Sequence, residues 1–207
     1  MSGAATDPWT RGVYRLCRVG VWFGGLLFIL ASIIVCIEVV IRKTIGASIG
    51  GADELSGYAL AIASAWAYGF ALLERAHIRI DTLYAVLPTR LAAICDILAV
   101  TSFLGFFCLI SRYALEVLLQ TIDLGSRSMT PLQTPLVIPQ ALWFAGLCVV
   151  ILAGFLLTVR SAILFATGDI AACRQLIGSR SAKDEIDEEL AVQAVQRNGE
   201  AEGQVRP

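Results

Sequence analysis

Charge is scarce in this chain, and histidine is nearly missing. Charged residues make up 16% of the 207 positions, against about 25% in an ordinary soluble domain, while hydrophobic types reach 57%. A soluble fold of this size could not hide that much apolar surface, so lipid is its natural solvent. His77 is the single histidine. That excludes a haem held by two imidazoles and a metal site built from clustered histidines. The six cysteines, Cys17, Cys36, Cys95, Cys108, Cys148 and Cys173, contain no CxxC pair. Cys36, Cys108 and Cys148 stand in apolar runs, where cysteine behaves as a small hydrophobe. Redox and metal chemistry are thereby disfavoured. No basic run with interleaved aromatics exists, so nucleic-acid binding has no support. With no recognisable nucleophile either, no enzyme and no cofactor is expected.

Long apolar runs are what the chain does have. Val19–Ile37, Leu55–Leu73 and Leu136–Val159 carry no charged residue. Each approaches or exceeds the ~20 residues that cross ~30 Å of hydrocarbon. A fourth run, Ile97–Ser111, is shorter, so its helix must take in Asp96, or Arg112 and Glu116, or all three. Arg112 and Glu116 are placed to pair at i, i+4, and arginine can snorkel. Gly46, Gly50, Gly51, Pro88, Pro131, Pro135 and Pro139 punctuate the spaces between runs. Asp53 and Glu54 open the second helix, where negative charge is favoured. The expected fold is an all-α integral membrane protein with four transmembrane helices at about 19–42, 54–74, 91–119 and 136–160. The first run is longer than a signal peptide's core and is followed by Arg42 and Lys43, so it reads as a span.

Arginine and lysine set the orientation. Arg11, Arg15 and Arg18 precede the first span. Arg75, Arg79 and Arg90 lie in the second loop, and Arg160, Arg174, Arg180 and Lys183 follow the fourth span. The other two loops hold only Arg42, Lys43 and Arg127. Both termini are therefore expected in the cytoplasm. Ile80, Leu83, Tyr84 and Leu87 recur at helical spacing, which predicts an interfacial amphipathic helix at about 79–88. Residues 1–18 read either as a second interfacial segment, with Trp9, Val13 and Leu16 against Arg11, Arg15 and Arg18, or as an extension of the first span. The membrane domain is set at 19–167. Residues 168–207 are read as a cytoplasmic acidic tail, partly disordered.

Ionisable residues inside a membrane are functional candidates. Glu38, Arg42, Asp96, Arg112 and Glu116 are all read near span ends, with Glu38 and Arg42 paired. No carboxylate, histidine or lysine is expected mid-span, and spans two and four lack the Gly or Pro breaks of midplane carriers. Ser64 and Thr101 are expected to bond back to their own helices. Such a chain suits packing against another membrane protein better than gripping a solute.

The order of a few residues sharpens this reading. Glu38–Arg42 closes span one, and Asp53-Glu54-Leu55 opens span two. That span holds Trp66 and Gly69 and is followed by Ala76-His77-Ile78-Arg79-Ile80-Asp81. The pattern resembles the small, Q-type membrane subunit of the tripartite ATP-independent periplasmic (TRAP) transporters. Thr134-Pro135-Leu136-Val137-Ile138-Pro139, running on to Trp143 and Gly146, looks like that family's entry to its fourth helix. The resemblance implies a bacterial inner-membrane complex with a large TRAP membrane subunit, a periplasmic substrate-binding protein and surrounding lipid. It implies sodium-driven symport of an organic acid, with sodium bound in the partner subunit and not here. It marks Arg42, Glu54, His77 and Asp81 as interface residues. Arg42 and Glu54 could shape the face shown to the binding protein or form a local ion pair between spans one and two. His77 and Asp81 would fix the turn into the interfacial helix. The competing readings are a stand-alone four-helix transporter or channel, and a membrane enzyme.

Overall fold

A computed structural model describes residues 8–48, 50–75 and 87–178. Within them lie five helices: α1 (Pro8–Thr44), α2 (Ala52–Leu73), α3 (Thr89–Leu124), α4 (Val137–Ala166) and the short α5 (Ile170–Ile177). The first four are long and apolar enough to cross a membrane. No β-strand forms among the described residues, as expected for chain segments that must satisfy every backbone group internally.

The spans pack as a row. α1 lies on α2, α2 on α4, and α4 on α3, with α1 touching α4 only lightly. The row exposes much apolar surface: Trp22 is 77% exposed and Leu98 64%. In water such faces would drive aggregation; against lipid tails they are at home. Between spans, close packing of small residues is the main attraction. A Cβ added at Gly24 would sit 3.1 Å from the Ala63 backbone, and one at Gly146 would sit 2.9 Å from the Ala65 Cβ. Both glycines therefore let backbones approach in a way no larger residue permits. The Trp66 indole N–H donates to the Leu142 carbonyl at 3.0 Å, tying α2 to α4. Mid-bundle, Ala65, Leu147 and Val150 pack on Phe107.

Residues 8–18 are continuous with the first span. They are the first turns of α1, with Val13 and Cys17 buried and Arg11, Arg15 and Arg18 exposed. The Tyr14 hydroxyl donates to Glu74 at 2.8 Å and Arg160 to Thr10 at 3.3 Å, fixing this end of the row.

Two features differ in their bounds from the expected helices. Arg112 and Glu116 were read near a span end, but α3 runs on to Leu124, about three turns beyond Arg112. The pair points away from the core, so it gives the helix no reason to stop. Gly125 ends it with φ 59°, a left-handed cap that glycine adopts without strain. Secondly, residues 170–177, within the segment read as a partly disordered tail, form a packed helix. Asp169 caps α5 by accepting from Ala172 N–H at 3.0 Å. Cys173 and Ile177 then bury against Leu72, Val100 and Leu157. The expected interfacial helix, apart from Leu87 and Pro88, and the acidic residues from Lys183 onward lie outside the described residues.

Candidate functional site

The two loops at the Glu54 end of the row form one cap. Gly50 packs on Pro131 and Gly51 on Leu132, so the α1–α2 loop is seated directly on the α3–α4 loop. Gly50 has φ 73°, a conformation in which a side chain would be strained. Each loop is pinned by one carboxylate, and the two carboxylates have different partners.

Glu54, in the first turn of α2, collects hydroxyl donors. Its Oε1 accepts from Tyr58 at 2.7 Å, one turn on in the same helix. Its Oε2 accepts from Ser128 at 2.9 Å and also from Thr130. Thr134 is a fourth hydroxyl facing it. An ionised carboxylate is acceptor-only, with room for about four donors, so one side chain gathers most of a distant loop.

That loop is a small hairpin. Ser128 N–H donates to Thr134 O at 3.0 Å and Leu136 N–H to Ser126 O at 3.2 Å. Arg127 pairs antiparallel with Pro135, and its guanidinium donates to Gln133 O at 3.3 Å. The hairpin's tip turns Met129 fully outward, and Arg127, Pro131 and Leu132 are exposed beside it. Its base is fixed on Glu54, so the exposed tip is held in one shape.

Glu38 pins the other loop. It is 3% exposed, although Arg42, which meets it at 2.7 Å, is 60% exposed. Ser48 donates to the same Glu38 oxygen at 2.6 Å and accepts from Gly50 N–H at 3.1 Å. The expected Glu38–Arg42 pair is thus present. Arg42 and Glu54 are not each other's partners; the local ion pair between spans one and two does not form. Ser48, Ser128 and Thr130 carried no weight in the sequence. The available signal was the run of hydroxyls at Ser126, Ser128, Thr130 and Thr134 within a proline-rich loop.

At the other end, Asp96 is completely buried. Cys173, also buried, has its thiol pushed up, first by burial and then by the Asp96 charge. Its Sγ contacts the Ser161 carbonyl at 3.5 Å. A thiol in that setting is inert rather than nucleophilic. All six cysteines are free. Among the described residues no group of three His, Cys, Asp or Glu could hold a metal ion. Ser64 and Thr101 bond the carbonyls of Leu60 and Ile97 in their own helices. His77 and Asp81 lie outside the described residues.

Comparison with known proteins gives one finding. A family model described as Tripartite ATP-independent periplasmic transporters, DctQ component, matches residues 31–163. No curated protein and no solved structure matches the chain.

Proposed function

This chain belongs to the DctQ component family of the tripartite ATP-independent periplasmic transporters, and from that premise we propose that it is the small, stationary subunit of a sodium-coupled organic-acid importer. The family is one of transporter components, not of enzymes, and the four membrane-length helices make the chain a multi-pass protein of the inner membrane. The large membrane subunit binds sodium and substrate. This chain holds that subunit in place and helps present a docking face to the periplasmic substrate-binding protein.

The observation that carries the docking role is the capped hairpin. Glu54 accepts hydroxyls from Tyr58, Ser128 and Thr130, and the anchored loop projects Met129 and Arg127 outward. Preformed loops bind with less ordering cost than mobile ones. The basic residues at the α1 start, after α2 and after α4 favour the opposite end as cytoplasmic, which supports a periplasmic position for the hairpin. The apolar contents of the row's centre, Ala65, Phe107, Leu147 and Val150, favour a scaffold over a carrier. An organic acid needs cations or amide donors at its binding site, and this core offers none.

Co-purification tests the reading. The chain, extracted in mild detergent, is expected to bring down a large TRAP membrane subunit. The binding protein is expected to be retained by that complex and lost when Met129 and Arg127 are replaced by alanine. Isolation of the chain without a membrane partner would argue for the stand-alone transporter or channel instead.

A further inference from the structure

α3 carries its charged pair on the side away from the core. Val100, Phe107, Ser111, Ala114 and Leu118 are buried and share one face. At about 100° per residue, the opposite face holds Ser102, Gly105, Leu109, Arg112, Glu116 and Asp123, all exposed. Arg112 and Glu116 satisfy one another only in part. Both guanidinium contacts, from Nε and Nη2, go to the same Glu116 oxygen at 3.3 Å. The side chains remain 74% and 54% exposed. Among the described residues nothing else bonds either group.

Their depth can be read from neighbouring helices. Phe107 meets the Tyr68 ring at 5.6 Å, and Tyr68 stands roughly 24 Å along α2 from Ala52 at 1.5 Å per residue. α3 runs antiparallel to α2. Arg112 therefore lies about 16 Å below the start of α2, and Glu116 about 10 Å below it. Measured from the start of α2, both fall within the ~30 Å of hydrocarbon that the helices cross. A charged pair facing lipid at that depth is costly, and such residues face protein or water.

α1 is the contrast. Its outward face shows Val19, Trp22, Leu26, Ile29 and Ile33, all at least half exposed, and no charge. That is a lipid surface. The two flanks of the row thus differ in chemistry, and only one asks for a polar neighbour.

We propose that the α3 face bearing Arg112 and Glu116 is where this chain meets the large membrane subunit, whose polar side chains complete the pair, while the α1 face meets lipid. Ser102 and Gly105, on the same α3 stripe, leave room for a partner helix to approach closely. The inference rests on the reading of the chain as one subunit of a complex, and adds which flank makes the contact.

Site-specific photocrosslinking in native membranes tests it, using the whole transporter. p-Benzoylphenylalanine is placed at Leu109 or Gln120 on α3, and at Trp22 or Ile33 on α1. The α3 positions are expected to give crosslinks to the large subunit at least tenfold above the α1 positions. Replacing the pair by Arg112→Leu with Glu116→Leu is expected to cut the Leu109 product at least fivefold at unchanged membrane level of the chain. Crosslinks of equal or greater yield from α1, or none from α3 while the two proteins still co-purify, would overturn the assignment and leave the subunit reading standing. A Leu109 product unchanged by the double substitution would overturn the role of the pair. A chain that neither crosslinks nor co-purifies would remove the subunit reading, and the assignment with it.

Discussion

Gly146→Ala is expected to loosen the centre of the row. The added Cβ would lie 2.8 Å from Trp66 Cδ1 and 2.9 Å from the Ala65 Cβ. Ordinary carbon contacts are about 3.5–4.0 Å, so α2 and α4 must part by several tenths of an ångström or the indole must turn. Ala65 cannot yield, because its methyl sits directly on its own backbone. Overpacking of this kind costs about 1–3 kcal/mol. Moving the indole also weakens its hydrogen bond to Leu142, 3.0 Å long, a loss of about 0.5–1.5 kcal/mol. The sum is about 1.5–4.5 kcal/mol, which is large for one methyl group. Gly25→Ala is the control: a Cβ there meets nothing within 4 Å, and alanine is the better helix former by about 1 kcal/mol in water. Reversible unfolding in mixed micelles, followed by tryptophan fluorescence, measures both variants. Equal stability of Gly146→Ala and Gly25→Ala, within about 0.5 kcal/mol, would refute the close-packed α2–α4 contact.

Three further outcomes follow from the caps and the buried thiol. Glu54→Gln keeps the shape of the side chain but replaces one acceptor oxygen by a donor, so Ser128, Thr130 and Tyr58 cannot all be served. The hairpin should loosen: trypsin is expected to cut after Arg127 several times faster than in wild type, and equal rates would exclude the anchoring role. Arg42→Ala removes the cation that meets the buried Glu38 at 2.7 Å. Its yield of folded chain should fall below that of the double variant Arg42→Ala with Glu38→Gln, measured by size-exclusion of detergent extracts. Cys173 should resist maleimide at pH 8 in the folded protein and react only after denaturation. Its thiol is raised above the ordinary range by burial and by the Asp96 charge, so little thiolate is present at that pH; rapid labelling of folded protein, followed by mass spectrometry, would contradict this.

The spans were legible because lipid imposes a simple rule, an unbroken apolar stretch of sufficient length, and three of the four runs obey it. The ends were less so, for reasons visible in particular residues. Residues 8–18 look polar in sequence, yet Val13 and Cys17 lie on the packed side while the arginines point out, so α1 simply continues. Arg112 and Glu116 look like a boundary to any count of charges, but their direction, which no one-dimensional reading supplies, lets α3 run on. Of the candidate site, the Glu38–Arg42 pair is local and readable at i, i+4. The partners of Glu54 are not: Ser128 and Thr130 are more than seventy positions away, and only the packing of one loop on the other brings them together. α5 went unread inside the bounds set for the tail, although Asp169 after Gly168 is an N-cap signal.

Reconstitution into proteoliposomes tests the central claim most directly. Liposomes holding the large subunit, with an imposed sodium gradient and the binding protein outside, are measured for organic-acid uptake with and without this chain. Uptake is predicted only when both membrane proteins are present, and none is predicted from this chain alone. Concentrative uptake by vesicles containing only this polypeptide would contradict the account.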